Sequence, residues 1–212
     1  MAGRIVLLGG SFDPVHNGHL IVARAVAEQC GFGRVTLVPA ASPPHKPPTR
    51  ASAEHRLAML RLAIEGEDLF DVCDVELRRD GPSYTLETLR ALRLEHGPGV
   101  ELVWIIGADM LAGLPNWHHA GEVLDMARII VAARPPWTDR MDEILTGMEG
   151  HLQGEQVNRL RESVVESPLL DISSSQVRWR VGAGLSIRYL VPESVRAYIC
   201  KNSLYVSDSV TS

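Results

Sequence analysis

One stretch near the start of the chain limits the available folds more than any other: Arg4-Ile5-Val6-Leu7-Leu8-Gly9-Gly10-Ser11-Phe12-Asp13-Pro14-Val15-His16-Asn17-Gly18-His19. Its apolar run ends in two glycines and reads as a short strand buried on both faces, as in a parallel sheet. Gly9 and Gly10 permit positive φ and a close approach of ligand to main chain, and Asp13-Pro14 sets an extended or turn conformation before the next element. From Gly18 to Cys30 the residues are good helix formers without proline, and Gly31 is a natural stop. The unit is strand, glycine loop, helix.

His16 and His19 straddle the start of that helix, three residues apart, which puts both rings on one side. A helix start supplies unpaired N–H groups and positive potential, so two imidazoles beside a glycine loop suit a phosphate. A metal site is the competing reading. Zinc needs further ligands, and no Cys or His pair of suitable spacing follows.

Strand and helix patterns then alternate. Arg34 to Pro39 is a β-branched strand, and the helix capped by Ser52 packs through Leu57, Leu60 and Ile64, with His55, Arg56 and Arg61 exposed. Phe70 to Leu77 alternates apolar and polar, as an edge strand does. A helix capped by Ser83 or Thr85 runs to His96, followed by an apolar central strand, Glu101 to Gly107, and a fifth strand, Arg128 to Arg134. The segment 137–162 holds a helix or two at the surface, Gln176 begins another helix, and Pro192 to Lys201 is the last. The fold expected is α/β, a doubly wound parallel sheet of Rossmann-like type in one domain, 1–205, with 206–212 a frayed tail.

Several residues beyond the first loop are candidate ligand contacts, each with a plainer alternative. His45 and Lys46 sit in a loop stiffened by Pro43, Pro44, Pro47 and Pro48 after the second strand; it is a solvated linker or a ligand-facing arm. Tyr84 and Thr85 open a helix, where exposed amides suit a carboxylate or simply form a cap. Asp109, just past a strand end, either binds ribose hydroxyls or caps a helix. Trp117 is core filler by default. Ser173, Ser174 and Ser175 precede a helix with Arg178 about one turn in, which is an anion site or a serine cap.

Composition bounds the class. A chain of 212 residues, 45% of them hydrophobic, buries a core without staples, and a net charge of −5 without a long basic run argues against a general nucleic-acid binder. Three cysteines, Cys30, Cys73 and Cys200, far apart and outside any metal spacing, fit a reducing cytoplasm. No apolar run reaches the roughly 18 residues of a membrane span. No membrane partner is expected, and a homo-oligomer is left open.

The first block closely resembles the signature of nucleotidyltransferases carrying a His-x-Gly-His motif, here His16-Asn17-Gly18-His19. Within that group four further motifs are similar to those of bacterial nicotinate-nucleotide adenylyltransferases. They are Pro43-Pro44-His45-Lys46, the block from Asp74 through Ser83-Tyr84-Thr85, Gly107-x-Asp109 with Trp117, and Ile172-Ser173-Ser174-Ser175 with Arg178. Ser175 stands where the family usually has threonine, and no role carries over to His118 or His119. The resemblance implies adenylyl transfer from ATP to nicotinate mononucleotide, aided by Mg²⁺ held largely by the phosphates. His16, His19, Lys46 and Arg178 would be catalytic. Gly9, Gly10, Ser11, Phe12, His19, Gly107, Asp109, Ser174, Ser175 and Arg178 would bind ATP. His45, Lys46, Tyr84, Thr85, Asp109 and Trp117 would bind the mononucleotide. The rivals are a related transferase for phosphopantetheine or nicotinamide mononucleotide, and a nucleotide-binding regulator without activity.

Overall fold

The computed structural model describes residues 3–43 and 47–206. Six strands form one parallel sheet: β1 Arg4–Gly10, β2 Val35–Pro39, β3 Phe70–Val72, β4 Glu101–Gly107, β5 Arg128–Ala133 and β6 Val164–Glu166. Their spatial order is β3-β2-β1-β4-β5-β6, every pair parallel. The order reverses between β1 and β4, the switch point where a doubly wound sheet opens a crevice at its carboxyl edge.

Helices cover both faces. On one lie α1 Asn17–Cys30, α2 Ala53–Ala63, α8 Ser174–Gly182 and α9 Glu193–Lys201. On the other lie α3 Thr85–His96, the short α4 Ala108–Leu111, α5 Ala120–Met126, α6 Met141–Thr146 and α7 Gly154–Glu162. Alternate residues of the apolar strands feed the two cores. Val103 and Ile105 of β4 join the first, and Leu102, Trp104 and Ile106 the second.

Several sequence expectations need correction. Gly9 and Gly10 lie extended within β1 and do not use positive φ; the left-handed residue is Phe12, at φ 46. What β1 needs is space, because a Cβ on Gly9 would overlap the Trp104 indole of the neighbouring strand. The third strand is at the edge, as expected, but ends at Val72. The chain turns through Leu77 N–H to Asp74 O (2.9 Å), and Glu76, which the alternation puts in solvent, is buried.

Neither Ser83 nor Thr85 caps α3. Tyr84 holds the cap position without a side-chain bond, and the Ser83 hydroxyl accepts from the N–H groups of Ala41 (2.8 Å) and Ser42 (3.1 Å). Arg56, expected in solvent, is fully buried, whereas Arg61 is exposed and His55 half-buried. The segment 137–162 contributes Met141, Leu145, Met148, Val157 and Leu160 to the second core, so it is more than a surface cover. A sixth strand, β6, escaped the sequence because three residues with one apolar pair carry no period. The expected tail at 207–212 lies outside the described residues.

The close approach at Gly9 makes a testable point. Gly9→Ala should destabilise the fold by about 1–3 kcal/mol in urea unfolding, since the indole is pinned in the second core. Gly10→Ala should cost less, because its Cβ would meet the Phe12 ring at 3.1 Å. A Gly9→Ala protein as stable as the wild type would mean that Trp104 can swing aside.

Candidate active site

The carboxyl ends of β1, β2 and β4 frame a cleft of about 870 Å³, its open mouth included. Gly9, Gly10 and Ser11 form one wall, and Tyr84, Thr85 and Trp117 lie on the same cleft, with Gly107 at the end of β4. The first loop and the start of α3, 65 residues or more apart in sequence, therefore meet at the switch point. Asp109 is exposed in the first turn of α4 and does not line the cleft, although its neighbours Gly107 and Met110 do. His45 and Lys46, both named as ligand contacts from the sequence, lie outside the described residues.

His16 is the N-cap of α1, and its ring stacks on that of His19 at 3.6 Å between centroids, 23° between planes. Gly18 leaves room for this: a Cβ there would press on the His16 ring at 3.0 Å. The main-chain N–H of His16 donates to Nδ1 of His19 (3.2 Å), which fixes the neutral ring's proton on Nε2 and makes that nitrogen a donor. Phe12, expected among the nucleotide contacts, has a buried side chain set edge-on to the His19 ring at 5.0 Å. It supports His19 from behind.

The two histidines are not equivalent. Burial, reinforced by the Arg134 guanidinium, lowers the His16 imidazole from 6.5 to about 4, so at neutral pH it is an uncharged ring. Of the two imidazoles expected to suit a phosphate, His16 therefore brings no charge of its own at neutral pH. Its Nδ1 is buried without a hydrogen-bond partner among the described residues.

The serine-rich helix start docks directly on this loop. The Ser173 hydroxyl caps α8 by accepting from Gln176 N–H (3.1 Å), and the Ser174 hydroxyl donates to Pro14 O (2.8 Å). Arg178 donates to the main-chain oxygen of Asp13 (2.6 Å) and to the Ser175 hydroxyl (3.2 Å), and lies 3.7 Å from the Asp13 carboxylate. Ser175 and Arg178 line a second groove with Arg50 and Trp179.

Asp13, read from the sequence only as part of a turn, organises this region. Its buried carboxylate accepts from Arg50 N–H (2.8 Å), Ala51 N–H (3.0 Å) and the Tyr205 hydroxyl (2.7 Å). Arg56 donates to Ser11 O at 2.7 Å. Arg134, at the end of β5, donates to Leu170 O in the segment before α8. A charged residue closing an apolar strand at the ligand edge of the sheet was the available signal for Arg134. For Arg56 and Tyr205 the sequence offered none.

The pyridine-side expectation also changes. Trp117 is expected to bind the mononucleotide, but its amide donates to Leu114 O at 3.0 Å in a turn of 3-10 helix, Leu114–Asn116, and is not available to a ligand. At the start of α3 the Tyr84 amide donates to Pro82 O (3.0 Å) and the Glu87 amide to Tyr84 O (3.1 Å), which leaves those of Thr85 and Leu86 as the first-turn donors.

Comparison with known proteins agrees with this geometry. Residues 7–180 match the cytidylyltransferase-like family. A protein of Serratia proteamaculans, named a probable nicotinate-nucleotide adenylyltransferase, is 43% identical over 206 residues, covering 94% of both chains. One of Salinibacter ruber with the same name is 43% identical over 200 residues, covering 94% of this chain and 96% of its own. The chain belongs to the nicotinate-nucleotide adenylyltransferase family. Its fold is shared by the nicotinic acid mononucleotide adenylyltransferase of Plasmodium falciparum solved with NaAD, at TM-score 0.73 and 19% identity, covering 96% of this chain and 97% of that one.

The buried neutral His16 gives a pH prediction. Between pH 6.5 and 4 the unfolded chain protonates this imidazole while the folded one resists, so stability present above pH 6.5 falls as pH drops, by up to roughly 3 kcal/mol. Urea midpoints from pH 7 to 4 should fall more steeply for the wild type than for His16→Gln. Parallel curves would mean that His16 titrates as an exposed histidine.

Proposed function

We propose that the chain transfers the adenylyl group of ATP to nicotinate mononucleotide, forming nicotinate adenine dinucleotide, a precursor of NAD, and releasing pyrophosphate. One observation carries the reading within this family: the glycine loop and the Tyr84, Thr85 and Trp117 set share a single cleft at the switch point. A phosphoryl acceptor and a pyridine ring can then be held end to end.

The reaction needs alignment more than activation. A phosphate oxygen of the mononucleotide attacks the α-phosphorus of ATP, the bond from that phosphorus to the bridging oxygen breaks, and pyrophosphate departs with the electron pair. The first-loop main chain and His19 Nε2–H suit the reacting phosphate, and Arg178 at the α8 start suits the departing one. Lys46 is proposed to join them from the proline-rich loop, and His45 to bind the mononucleotide there. Asp109 is proposed for a ribose.

Among the described residues no three of His, Cys, Asp and Glu gather to hold a metal. That fits Mg²⁺ carried by the phosphate oxygens, where it would neutralise charge. No helix among the described residues is long and apolar enough to cross a membrane. The free thiols Cys30, Cys73 and Cys200 fit the cytoplasm.

Incubation with ATP, Mg²⁺ and nicotinate mononucleotide should release pyrophosphate, and no release would sink the reading. His19→Ala should lower kcat by roughly 10²–10³ with the fold intact, as loss of one preorganised donor does. Arg178→Ala should lower kcat/KM more than it weakens binding of free mononucleotide; equal losses would move Arg178 to the other substrate. The acid mononucleotide should be preferred over the amide by roughly 5- to 150-fold, the cost of one unpaired buried group.

A further inference from the structure

We propose that Asn17 is a positioning residue: its two N–H groups clamp the first turn of α1 to the connector between α8 and α9, and thereby aim the His19 imidazole. This rests on the reading of His19 as a phosphate contact. The main-chain N–H of Asn17 donates to Leu190 O at 2.9 Å, and its side-chain amide donates to Tyr189 O at 2.7 Å. One residue thus grips two successive carbonyls, the nearer 172 positions along the chain.

An ordinary surface hydrogen bond would not need the backbone found at its acceptor. Tyr189 is left-handed, φ 68, a conformation that bulky residues rarely adopt, and its side chain is 82% exposed, so packing gives no reason for the turn. Its neighbours hold it in place. Ile187 and Val191 are buried in the first core, Leu190 N–H donates to Ile187 O at 3.1 Å, and the Arg180 guanidinium of α8 donates to Ser186 O at 2.7 Å. What the left-handed residue achieves is to turn its own carbonyl and the next one toward α1.

The place of Asn17 in the chain carries this to the site. It lies between His16 and His19, whose rings are stacked, and the His16 N–H that donates to His19 Nδ1 belongs to the residue just before it. A shift of the first turn would lengthen that 3.2 Å bond, which selects the Nε2–H form of the neutral ring. The loop before His16 is held from the same body, since Ser174 at the start of α8 donates to Pro14 O and Arg178 to Asp13 O. α8 and its connector therefore grip the chain on both sides of His16. The Asn17 main-chain N–H is already engaged, so that group gives orientation and makes no phosphate contact.

The test uses Asn17→Leu and Asn17→Ala, which lose the side-chain donor and keep the main-chain N–H, each alone and combined with His19→Ala. With ATP, Mg²⁺ and nicotinate mononucleotide, each single variant should lower kcat about tenfold and move KM for either substrate much less, as a misplaced catalytic group does. In the His19→Ala background the same change should cost less than about twofold in kcat, because its effect runs through that ring. Tyr189→Asn keeps both carbonyls and tolerates positive φ, so it should turn over at the wild-type rate. Wild-type kcat in both Asn17 variants, or an equal loss with and without His19, would reduce the clamp to a bond of the fold alone and overturn the proposal. A loss in Tyr189→Asn as large as in the Asn17 variants would overturn it too, by placing the effect in the tyrosine ring. If the wild type releases no pyrophosphate, the activity fails separately, and imidazole ¹⁵N spectra at about pH 9, above the usual imidazole range, decide the clamp. A mixture of Nε2–H and Nδ1–H forms of His19 in the Asn17 variants, against Nε2–H alone in the wild type, upholds it; an unchanged ring overturns it.

Discussion

The carboxylate of Asp13 is the interaction on which the rest of the site depends. It draws the chain entering α2, through Arg50 and Ala51, and the C-terminal Tyr205 onto the loop that follows β1. Arg178 adds the start of α8, bonding the Asp13 carbonyl and approaching its carboxylate. Three segments spread over the sequence thereby converge on one turn, and that turn ends in His16 as the cap of α1. The histidine pair is placed by this convergence as much as by its own spacing. Tyr205 serves as a neutral donor, because burial and the adjacent carboxylate both push its phenol far above the usual range.

Buried charge of this kind is weak evidence of net stabilisation, since desolvation offsets much of the attraction. Arg56 illustrates the balance: burial lowers its pKa, while Asp13 and Tyr205 oppose that shift. The better account is orientation. Arg56 holds the Ser11 carbonyl and Arg178 the Asp13 carbonyl, so two oxygens that would repel an incoming phosphate are turned to guanidinium groups. Breaking one partner would leave an uncompensated charge in the interior, which binds the segments together more tightly than the pair energy alone.

How much of this was legible in the sequence follows from range. The β1 strand, the glycine loop, α1 and the parallel alternation rest on local patterns, and they were readable to within a residue or two. So was the grouping of His16 with His19, where helix geometry alone decides. Asp13, Arg56 and Tyr205 were not, because what distinguishes them is contact across 37 to 192 positions. Arg56 misled in the same way, since its burial is made tolerable by Ser11, 45 positions away, whereas Glu76 is held by the nearer Thr88, Ser83 and Arg79. Ser83 was assigned to the nearest helix start, although its acceptor role serves the loop after β2. Gly9 was read as a conformational device when the constraint on it is a tryptophan from the adjacent strand.

These placements also revise the electrostatics expected around the first loop. Counting residues suggests a strongly positive site built from two histidines and an arginine. In the fold, His16 is neutral at physiological pH and Arg178 shares its charge with Asp13, so the fixed positive potential is smaller than the count. That is a workable design for a reaction whose ligands arrive as polyanions and whose product must leave. A site of full unpaired cations would hold the pyrophosphate as firmly as the transition state and gain nothing in turnover. Directional N–H donors, proposed here for the glycine loop, the two helix starts and His19, discriminate by position instead. They are strongest where an oxygen sits in the geometry of transfer and weaken quickly away from it. The Asp13 network therefore does more than brace the loop: by partly neutralising Arg178 it leaves the proposed phosphate site with less net charge and more weight on aligned hydrogen bonds.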